Sequence, residues 1–200
     1  MRNKFVLWAA LAPAAVVMGM AIASPAMADA DDLVPLDECL EAAQDIHMGE
    51  FVKVEYLSVS PAGVPTYEIE IRDDNDVEWE MMCNARTGDI YELETEVDSA
   101  QDEAFAKNAK ITEDDAIKTV TARFGGEVVE VEYEIETDGS PTYEIDVSRD
   151  GQENEFKVEV DAVTGDIIEL SVEEWQIGQE PSEEVGDNAQ SGRSSNSSGT

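Results

Sequence analysis

Two stretches of the chain repeat one another, and this repeat limits the folds that the sequence can adopt. Residues 65–93 read PTYEIEIRDDNDVEWEMMCNARTGDIYEL, and residues 141–170 read PTYEIDVSRDGQENEFKVEVDAVTGDIIEL. Each stretch contains a PTYEI strand, a second strand after a polar turn, and a tight TGDI turn into a short last strand. We therefore expect the chain to fold as two copies of one supersecondary unit.

A helix is expected to open each repeat. In the second repeat, Thr112 and Asp115 have the spacing of a capping box, and the acidic first turn complements the positive end of the helix dipole. We predict a helix from Glu113 to Phe124, ended by Gly125, because glycine reverses the backbone at little cost. In the first repeat, the apolar spacing predicts a corresponding helix within residues 35–49.

Two strands of the second repeat alternate apolar and acidic residues. Residues 127–136 read EVVEVEYEIE, and residues 143–147 read YEIDV. Successive side chains of a strand point to opposite faces, so one face of this sheet is apolar and the other is acidic. We predict that the apolar face packs under the helix and that the acidic face points outward.

The acidic face supplies a candidate metal site, which consists of Glu132, Glu134, Glu144 and Asp146. A hairpin that pairs Glu136 with Thr142 would set Glu134 opposite Glu144, and Glu132 opposite Asp146. Like charges directly opposite one another destabilise a sheet by up to about 1 kcal/mol per pair, so a bound cation would compensate. Calcium and lanthanide ions suit such a site, because they prefer six or more oxygen ligands, mostly carboxylates.

The first repeat has the same core pattern, but the face that we predict to point outward carries mixed charges. Its outward residues are Lys53, Glu55, Glu68, Glu70 and Arg72. Opposite charges on one face neutralise each other without a metal ion. We therefore assign a cation role mainly to the second repeat.

Two hairpin loops are weaker candidates for a metal site. Residues 73–76 read DDND, but no glycine at the sixth position and no suitably spaced glutamate follow, so the loop is not an EF-hand. The corresponding loop of the second repeat, residues 150–155, has the composition of a plain turn. We interpret both loops as solvated hairpin tips.

The charge of the whole chain limits its partners. The chain carries 12 lysines and arginines against 47 aspartates and glutamates, a formal net charge of -35. Such a field repels nucleic acid and anionic lipid, and it favours cations or basic protein surfaces. A second interpretation needs no ligand: acidic surfaces keep proteins soluble, and salt-adapted organisms acidify most exported proteins.

The N-terminus has the pattern of a secretory signal. Basic Arg2 and Lys4 precede an apolar run over residues 5–23, and small residues stand at Ala26 and Ala28. We predict a signal peptide over residues 1–28 that is cleaved, so that no stable membrane insertion remains. The mature protein is then periplasmic or secreted.

If the protein is exported, the two cysteines are expected to form a disulfide, because thiols in an oxidising compartment tend to pair. In the alignment of the two repeats, Cys39 corresponds to Ala116 on the helix, and Cys83 corresponds to Val160 on a strand. The two cysteines should then face each other between helix and sheet, and a bridge would stabilise by roughly 4 kcal/mol. Two buried free thiols or an intermolecular bridge are the alternatives.

The domain limits follow from these patterns and from the polar segments beside them. The predicted units are a signal peptide over 1–28, a first repeat over 34–95, a linker over 96–110 that includes a short helix, a second repeat over 111–173, and a disordered tail over 176–200.

The sequence lacks the common catalytic motifs, including GxSxG, HExxH and phosphate-binding loops. The chain has one histidine, His47, which ends an apolar helical stripe and is interpreted as structural. We therefore predict that the protein is not an enzyme and that it holds no catalytic cofactor. Trp175 is the one visible aromatic anchor for a protein partner, although it could equally cap the core of the second repeat.

A helix with a polar start, a GGEVVEVEYE strand, a YEIDV strand and a third strand ending in DAVTGDI together resemble the PepSY domain. The resemblance covers residues 34–95 and 111–172. The first copy departs from the family pattern with Asn84 in place of the usual aspartate and with its cysteines. PepSY domains are found in metallopeptidase propeptides and in exported bacterial proteins.

The resemblance implies an α+β fold: two repeats, each with one helix packed on a four-stranded antiparallel sheet, and no catalytic residues. It also implies a role in holding an extracytoplasmic peptidase inactive, through the sheet edge or the acidic face. Exported tandem PepSY proteins that bind lanthanides are known as well. The predicted function is therefore non-catalytic binding, first of all modulation or inhibition of a peptidase. The alternative is binding of calcium or lanthanide ions by the acidic sheet face of the second repeat.

Overall fold

The computed structural model describes residues 32–149, 151 and 154–178. The predicted signal peptide therefore lies outside the described residues. Two helix-plus-four-strand units follow one another, which confirms the predicted α+β class. The elements are α1 (Leu36–Ile46), β1 (Glu50–Val59), β2 (Thr66–Arg72), β3 (Glu78–Asn84), β4 (Ile90–Glu96), α2 (Glu103–Ala106), α3 (Glu113–Phe124), β5 (Glu127–Ile135), β6 (Pro141–Ser148), β7 (Glu155–Asp161) and β8 (Ile167–Gly178).

The helix of the second repeat has the predicted bounds and caps. The Thr112 side chain accepts a hydrogen bond from the backbone N–H of Asp115, and Gly125 follows the last turn with φ of 69°. Gly126 continues the reversal with φ of 90°, and a Cβ there would lie 2.4 Å from a methyl group of Val147. Glycine is thus required where α3 turns into β5, both for the left-handed backbone and for the close approach.

The eight strands form one closed antiparallel barrel in the order β1 to β8. The two repeats meet at two seams. At one seam β1 pairs with β8 from Lys53↔Gly178 to Val59↔Val172, and at the other β4 pairs with β5 through Thr95↔Ile135 and Glu96↔Glu134. Each repeat therefore contributes half of a continuous sheet.

Two apolar cores lie on the outside of this sheet, one under each helix. The first packs α1 against buried β-strand residues that include Ile69, Ile71 and Met81. The second packs α3 against Ile145, Val147 and their neighbours. Burying one side chain of this size contributes about 1.5–3 kcal/mol, so these cores fix each helix to its half of the barrel.

The predicted direction of the acidic face was wrong. Lys53, Glu55, Glu68 and Glu70 of the first repeat, like the acidic residues of the second repeat, are buried inside the barrel. The alternation of faces holds, but closure of the two half-sheets turns their charged faces toward each other. Arg72 differs from its neighbours, because it is half-buried and pairs with Glu78.

The predicted register of the β5–β6 hairpin was also wrong, by two residues. Glu136 and Ser140 close the turn through a backbone hydrogen bond, so Ile135 pairs with Pro141 and Glu134 with Thr142. Glu132 then lies opposite Glu144. Because a shift of two residues keeps every side chain on its face, the carboxylates still share one face of the sheet.

Residues 176–178, which fall in the tail predicted to be disordered, belong instead to β8, which pairs with β1 as far as Gly178. Residues 179–200 lie outside the described residues. Trp175 packs against the first repeat instead of capping the second core, with its ring centroid 5.7 Å from that of Tyr56. Within the predicted linker, α2 places Phe105 fully buried in the core of the second repeat.

Cys39 of α1 and Cys83 of β3 form a disulfide, with Cα atoms 5.9 Å apart. Both cysteines are fully buried in the first apolar core. Their counterparts Ala116 and Val160 lie in the second core. The bridge therefore joins helix to sheet on the outer side of the barrel, away from its charged interior.

None of the helices in the described part of the chain has the length and apolar character that a membrane span requires.

Candidate metal centre inside the barrel

The interior of the barrel carries far more acidic than basic side chains. Among the described residues, the buried acids of this interior are Glu55, Glu68, Glu70, Glu80, Glu94, Glu132, Glu134, Glu144, Asp146, Glu159 and Glu173. The buried basic residues are Lys53 and Lys157. Moving a carboxylate out of water is costly unless a cation, a proton or a hydrogen-bond donor compensates its charge. The interior therefore requires neutralisation beyond what two lysines provide.

The ammonium group of Lys53 contacts three carboxylates. Its Nζ atom lies 2.5 Å from Glu132, 2.8 Å from Glu70 and 3.5 Å from Glu55. It donates a hydrogen bond to Glu132, and its contacts with Glu70 and Glu55 are ion pairs. Since Glu132 belongs to the second repeat, this lysine links the two halves of the barrel.

Lys157 of the second repeat makes the reciprocal link. Its Nζ atom donates to Glu55 at 2.5 Å and to Glu68, both in the first repeat, and lies 2.9 Å from Glu144. The contact with Glu144 is an ion pair rather than a hydrogen bond. Carboxylates other than these partners must be neutralised in another way.

Glu134 is the clearest such carboxylate. Its side chain is only 1 % exposed, and neither of its oxygens receives a hydrogen bond. It belongs to two groups of acids whose ligand atoms all lie within 4.8 Å of one another, one with Glu80 and Glu132 and the other with Glu144 and Glu159. A buried carboxylate without a donor, surrounded by other carboxylates, is an arrangement that a bound cation or proton would stabilise.

The pKa values of the interior divide it into two parts. Burial disfavours the charged form of Glu132, but the Lys53 and Lys157 ammonium groups and the hydrogen bonds of Glu132 together outweigh it and lower the pKa of Glu132 to about 2. Burial raises the pKa of Glu134 well above its usual value, and the nearby Glu80 carboxylate raises it further. The same causes, burial first and acidic neighbours second, raise the pKa of Glu159 to about 9 and that of Glu94 to about 12. Burial also raises the pKa values of Glu68, Glu144 and Asp146 well above the usual range, although Lys157 lies close to them and opposes the shift. Carboxyls with such raised pKa values hold protons at neutral pH unless a cation replaces them.

The structure places the four carboxylates of the predicted site in the same interior, but not around one point. Glu134 has Glu132 on one side and Glu144 on the other. Asp146 is grouped instead with Glu155 and Glu173, in β7 and β8. The four residues thus contribute to more than one group of ligands.

Sequence reasoning missed Glu80 of β3 and Glu159 of β7, which complete the two groups around Glu134. Both occupy the acidic positions of alternating strands, EWEMM and KVEVD. Glu159 lies directly opposite Glu144, which follows from the hairpin between β6 and β7. Glu80 comes from the other repeat, and only closure of the barrel brings it near Glu134.

We call Glu80, Glu134, Glu144 and Glu159 the central carboxylate site. Glu134 is shared between a group with Glu80 and a group with Glu144 and Glu159, and carboxylate oxygens are the ligand type that calcium and lanthanide ions prefer. The residue set lacks the imidazole and thiolate ligands that favour zinc or copper. The arrangement is thus suited to a hard cation.

The histidine and the two hairpin loops considered in the sequence analysis are explained by packing and turn contacts where the structure describes them. His47 stacks on Trp79 with ring centroids 3.7 Å apart. In the 73–76 loop, the Asp73 carboxylate accepts hydrogen bonds from the backbone N–H groups of Asn75 and Val77. These bonds hold the hairpin turn and lower the pKa of Asp73. The loop over residues 150–155 lies partly outside the described residues.

The sequence matches the model of one protein family in both repeats. The match covers residues 33–94 and 110–170, and the family is described as the PepSY peptidase propeptide and YPEB domain. The chain belongs to the PepSY family. The matched regions coincide with the two helix-plus-sheet units of this PepSY protein. PepSY domains are generally non-catalytic, propeptide-like domains.

Two crystal structures are similar to this PepSY protein. One is a candidate lipoprotein from Clostridium difficile, with 24 % identity, a TM-score of 0.30, and coverage of 71 % of this chain and 95 % of the other. The second is a DUF2874 family protein from Bacteroides uniformis, with 12 % identity, a TM-score of 0.33, and coverage of 70 % and 89 %. Among proteins with curated descriptions, none matches the sequence.

Proposed function

We propose that this PepSY protein is an exported, non-catalytic protein that binds a hard cation, calcium or a lanthanide, at the central carboxylate site. The observation that carries the proposal is Glu134, which is buried among carboxylates and receives no hydrogen bond at either oxygen. Of the two functions expected from the sequence, cation binding is the better supported, because the acidic face is enclosed within the barrel. An enclosed face is not available for docking to a peptidase.

The surroundings of Glu134 support a cation rather than a further side chain as its partner. The lysines of the interior, Lys53 and Lys157, are engaged by other carboxylates. Glu80, Glu144 and Glu159 add negative charge to the same region. Protons compensate this charge in the absence of metal, and a cation of charge two or three compensates it more fully.

A terbium titration tests the proposal, because terbium is a lanthanide and its luminescence is sensitised by nearby tryptophan. We expect the purified protein to saturate with terbium in the presence of excess calcium and to become more stable to heat. Glu134→Gln should raise the Kd for terbium at least tenfold and leave the metal-free protein as stable as before or more stable. Removing Glu144 as well, in the Glu134→Gln/Glu144→Gln variant, should abolish binding at this site.

The matched control is Glu127→Gln, which removes an exposed glutamate at the start of the same strand. This variant should bind terbium as the unmodified protein does. The proposal is wrong if the unmodified protein shows only a weak response that salt removes and that does not saturate. It is also wrong if Glu134→Gln binds as tightly as Glu127→Gln.

A second candidate function is modulation of an extracytoplasmic peptidase, which the description of the family supports. The described strands close into a barrel, so docking by addition to a sheet edge would be limited to the β4–β5 seam, where only two residue pairs join the strands. Half-exposed Trp175 and exposed Ile177, beside Tyr56, offer an aromatic and aliphatic contact surface on the outside. If this surface docks a peptidase, the protein should inhibit proteolysis by the exported fraction of its source organism, and Trp175→Ala should reduce that inhibition. Equal inhibition by Trp175→Ala would exclude this surface.

A further inference from the structure

A second group of acids lies in the barrel around Asp146 of β6. It also includes Glu155 of β7 and Glu173 of β8, and the ligand atoms of all three lie within 4.8 Å of one another. Glu155 and Glu173 are direct cross-strand partners in the β7–β8 ladder. Like charges in this position repel each other, so the sheet is less stable here unless something compensates the charge.

Asp146 provides independent evidence that this group can bind a cation. The residue is 4 % exposed, and its Oδ1 atom is buried without a hydrogen-bond partner. Lys157 is its direct cross-strand partner, yet that ammonium donates hydrogen bonds to Glu55 and Glu68 and forms an ion pair with Glu144. The nearest lysine therefore lowers the local negative potential but does not satisfy this oxygen.

We infer that Asp146, Glu155 and Glu173 form a second hard-cation site, separate from the central carboxylate site. The inference rests on the proposed function, since both sites would take the same class of cation. Lys157 contacts Glu144 of the central site and lies beside Asp146 of the second. Its positive charge repels a cation at either site, but the second site offers three acids rather than the four of the central site. The second site should therefore be the weaker of the two.

Terbium titration followed by native mass spectrometry separates the two sites. We expect the unmodified protein to bind terbium in at least two steps of different affinity. Asp146→Asn should remove the weaker step, or raise its Kd at least tenfold, and should leave the tighter step unchanged. Glu134→Gln should have the opposite pattern. The control is Asp74→Asn, which neutralises an exposed acid in the 73–76 hairpin and should change neither step.

Glu173→Gln is a second variant of the same site, and it should reproduce the loss seen with Asp146→Asn. Melting curves recorded without metal establish that each variant is folded. The inference is overturned if both variants keep the weaker step while Glu134→Gln loses the tighter one, and the proposed function then stands. If the unmodified protein binds no terbium, the proposed function fails and the second site fails with it.

Discussion

Lys157 shows at the scale of a single residue how the barrel tolerates its acidic interior. The side chain is 1 % exposed and crosses from the second repeat to two carboxylates of the first. Burial lowers its pKa, but the surrounding carboxylates, led by Glu144, raise it well above its usual value. The residue is therefore charged throughout the physiological pH range, and its charge stabilises the folded barrel.

Removing this charge should destabilise the metal-free protein and create new ligands for a cation. For Lys157→Met we expect a loss of about 3–5 kcal/mol in the free energy of unfolding, because Glu55, Glu68 and Glu144 lose their partner. Terbium should restore more stability to this variant than to the unmodified protein, since the three carboxylates become available. Urea unfolding with and without terbium measures both effects.

Lys118→Met is the control for this prediction. Lys118 lies on α3 with a side chain that is 71 % exposed, so its loss should change stability by less than about 0.5 kcal/mol. If Lys157→Met is as stable as Lys118→Met without metal, the Lys157 ammonium group does not neutralise the carboxylates of the interior.

At the scale of elements, the helices and strands follow from the sequence to a large extent. Thr112 and Gly125 mark the ends of α3 because capping and helix termination depend on local chemistry. The alternation in residues 127–136 assigns each side chain of β5 to its face for a similarly local reason. Glu134 was therefore placed on the correct face from sequence alone, even though the hairpin register was shifted.

The surroundings of that face could not be predicted in the same way. Whether Glu134 points to water or to an interior depends on the β1–β8 and β4–β5 seams, which join residues far apart in the chain. No local pattern encodes those pairings. The same limit explains why Glu80 was missed as a neighbour of Glu134, and why Trp175 was not assigned to the first repeat.

The disulfide between α1 and β3 leads to a prediction about one element pair. Replacing Cys39 with Ala and Cys83 with Val installs the residues that the second repeat has at these positions, Ala116 and Val160. This double variant should lose up to about 4 kcal/mol of stability, because the unfolded chain is no longer cross-linked. Terbium affinity should remain unchanged, because the bridge lies outside the barrel interior.

Adding reductant to the unmodified protein is the companion measurement. It should lower the stability to heat of the unmodified protein and leave the double variant unaffected. A stability that is insensitive to reductant would show that no bridge joins the two cysteines in solution.

At the scale of the whole molecule, the interior should give the metal-free protein an unusual dependence of stability on pH. The pKa of Glu159 is raised to about 9, and those of Glu92 and Glu173 to about 7, in each case by burial first and then by acidic neighbours. These groups bind protons more tightly in the folded than in the unfolded chain. Folding is therefore favoured less as pH rises from about 4.5 through 7 to 9.

Glu132 has the opposite effect, since its pKa of about 2 in the folded protein contributes stability that is lost as pH falls below about 4.5. The metal-free protein should thus be most stable near pH 5 and lose several kcal/mol by pH 9, because one pKa unit corresponds to about 1.4 kcal/mol. Terbium or calcium should largely remove the loss at high pH. Thermal unfolding from pH 4 to pH 9 in chelator, and then with added ion, measures the effect. Stability that rises steadily up to pH 8 without metal would contradict the proposed state of the interior.

The two seams of the barrel make each repeat dependent on the other. Each repeat presents a charged face that only the other repeat covers, and each of the two buried lysines neutralises carboxylates of the opposite repeat. In this respect the halves resemble the subunits of a homodimer, and residues 96–110 raise their effective concentration as a short tether would. A gene encoding one repeat alone would have to supply a second copy of the same chain to bury that face. Duplication within one chain makes the enclosure independent of protein concentration, which suits a protein that is diluted after export.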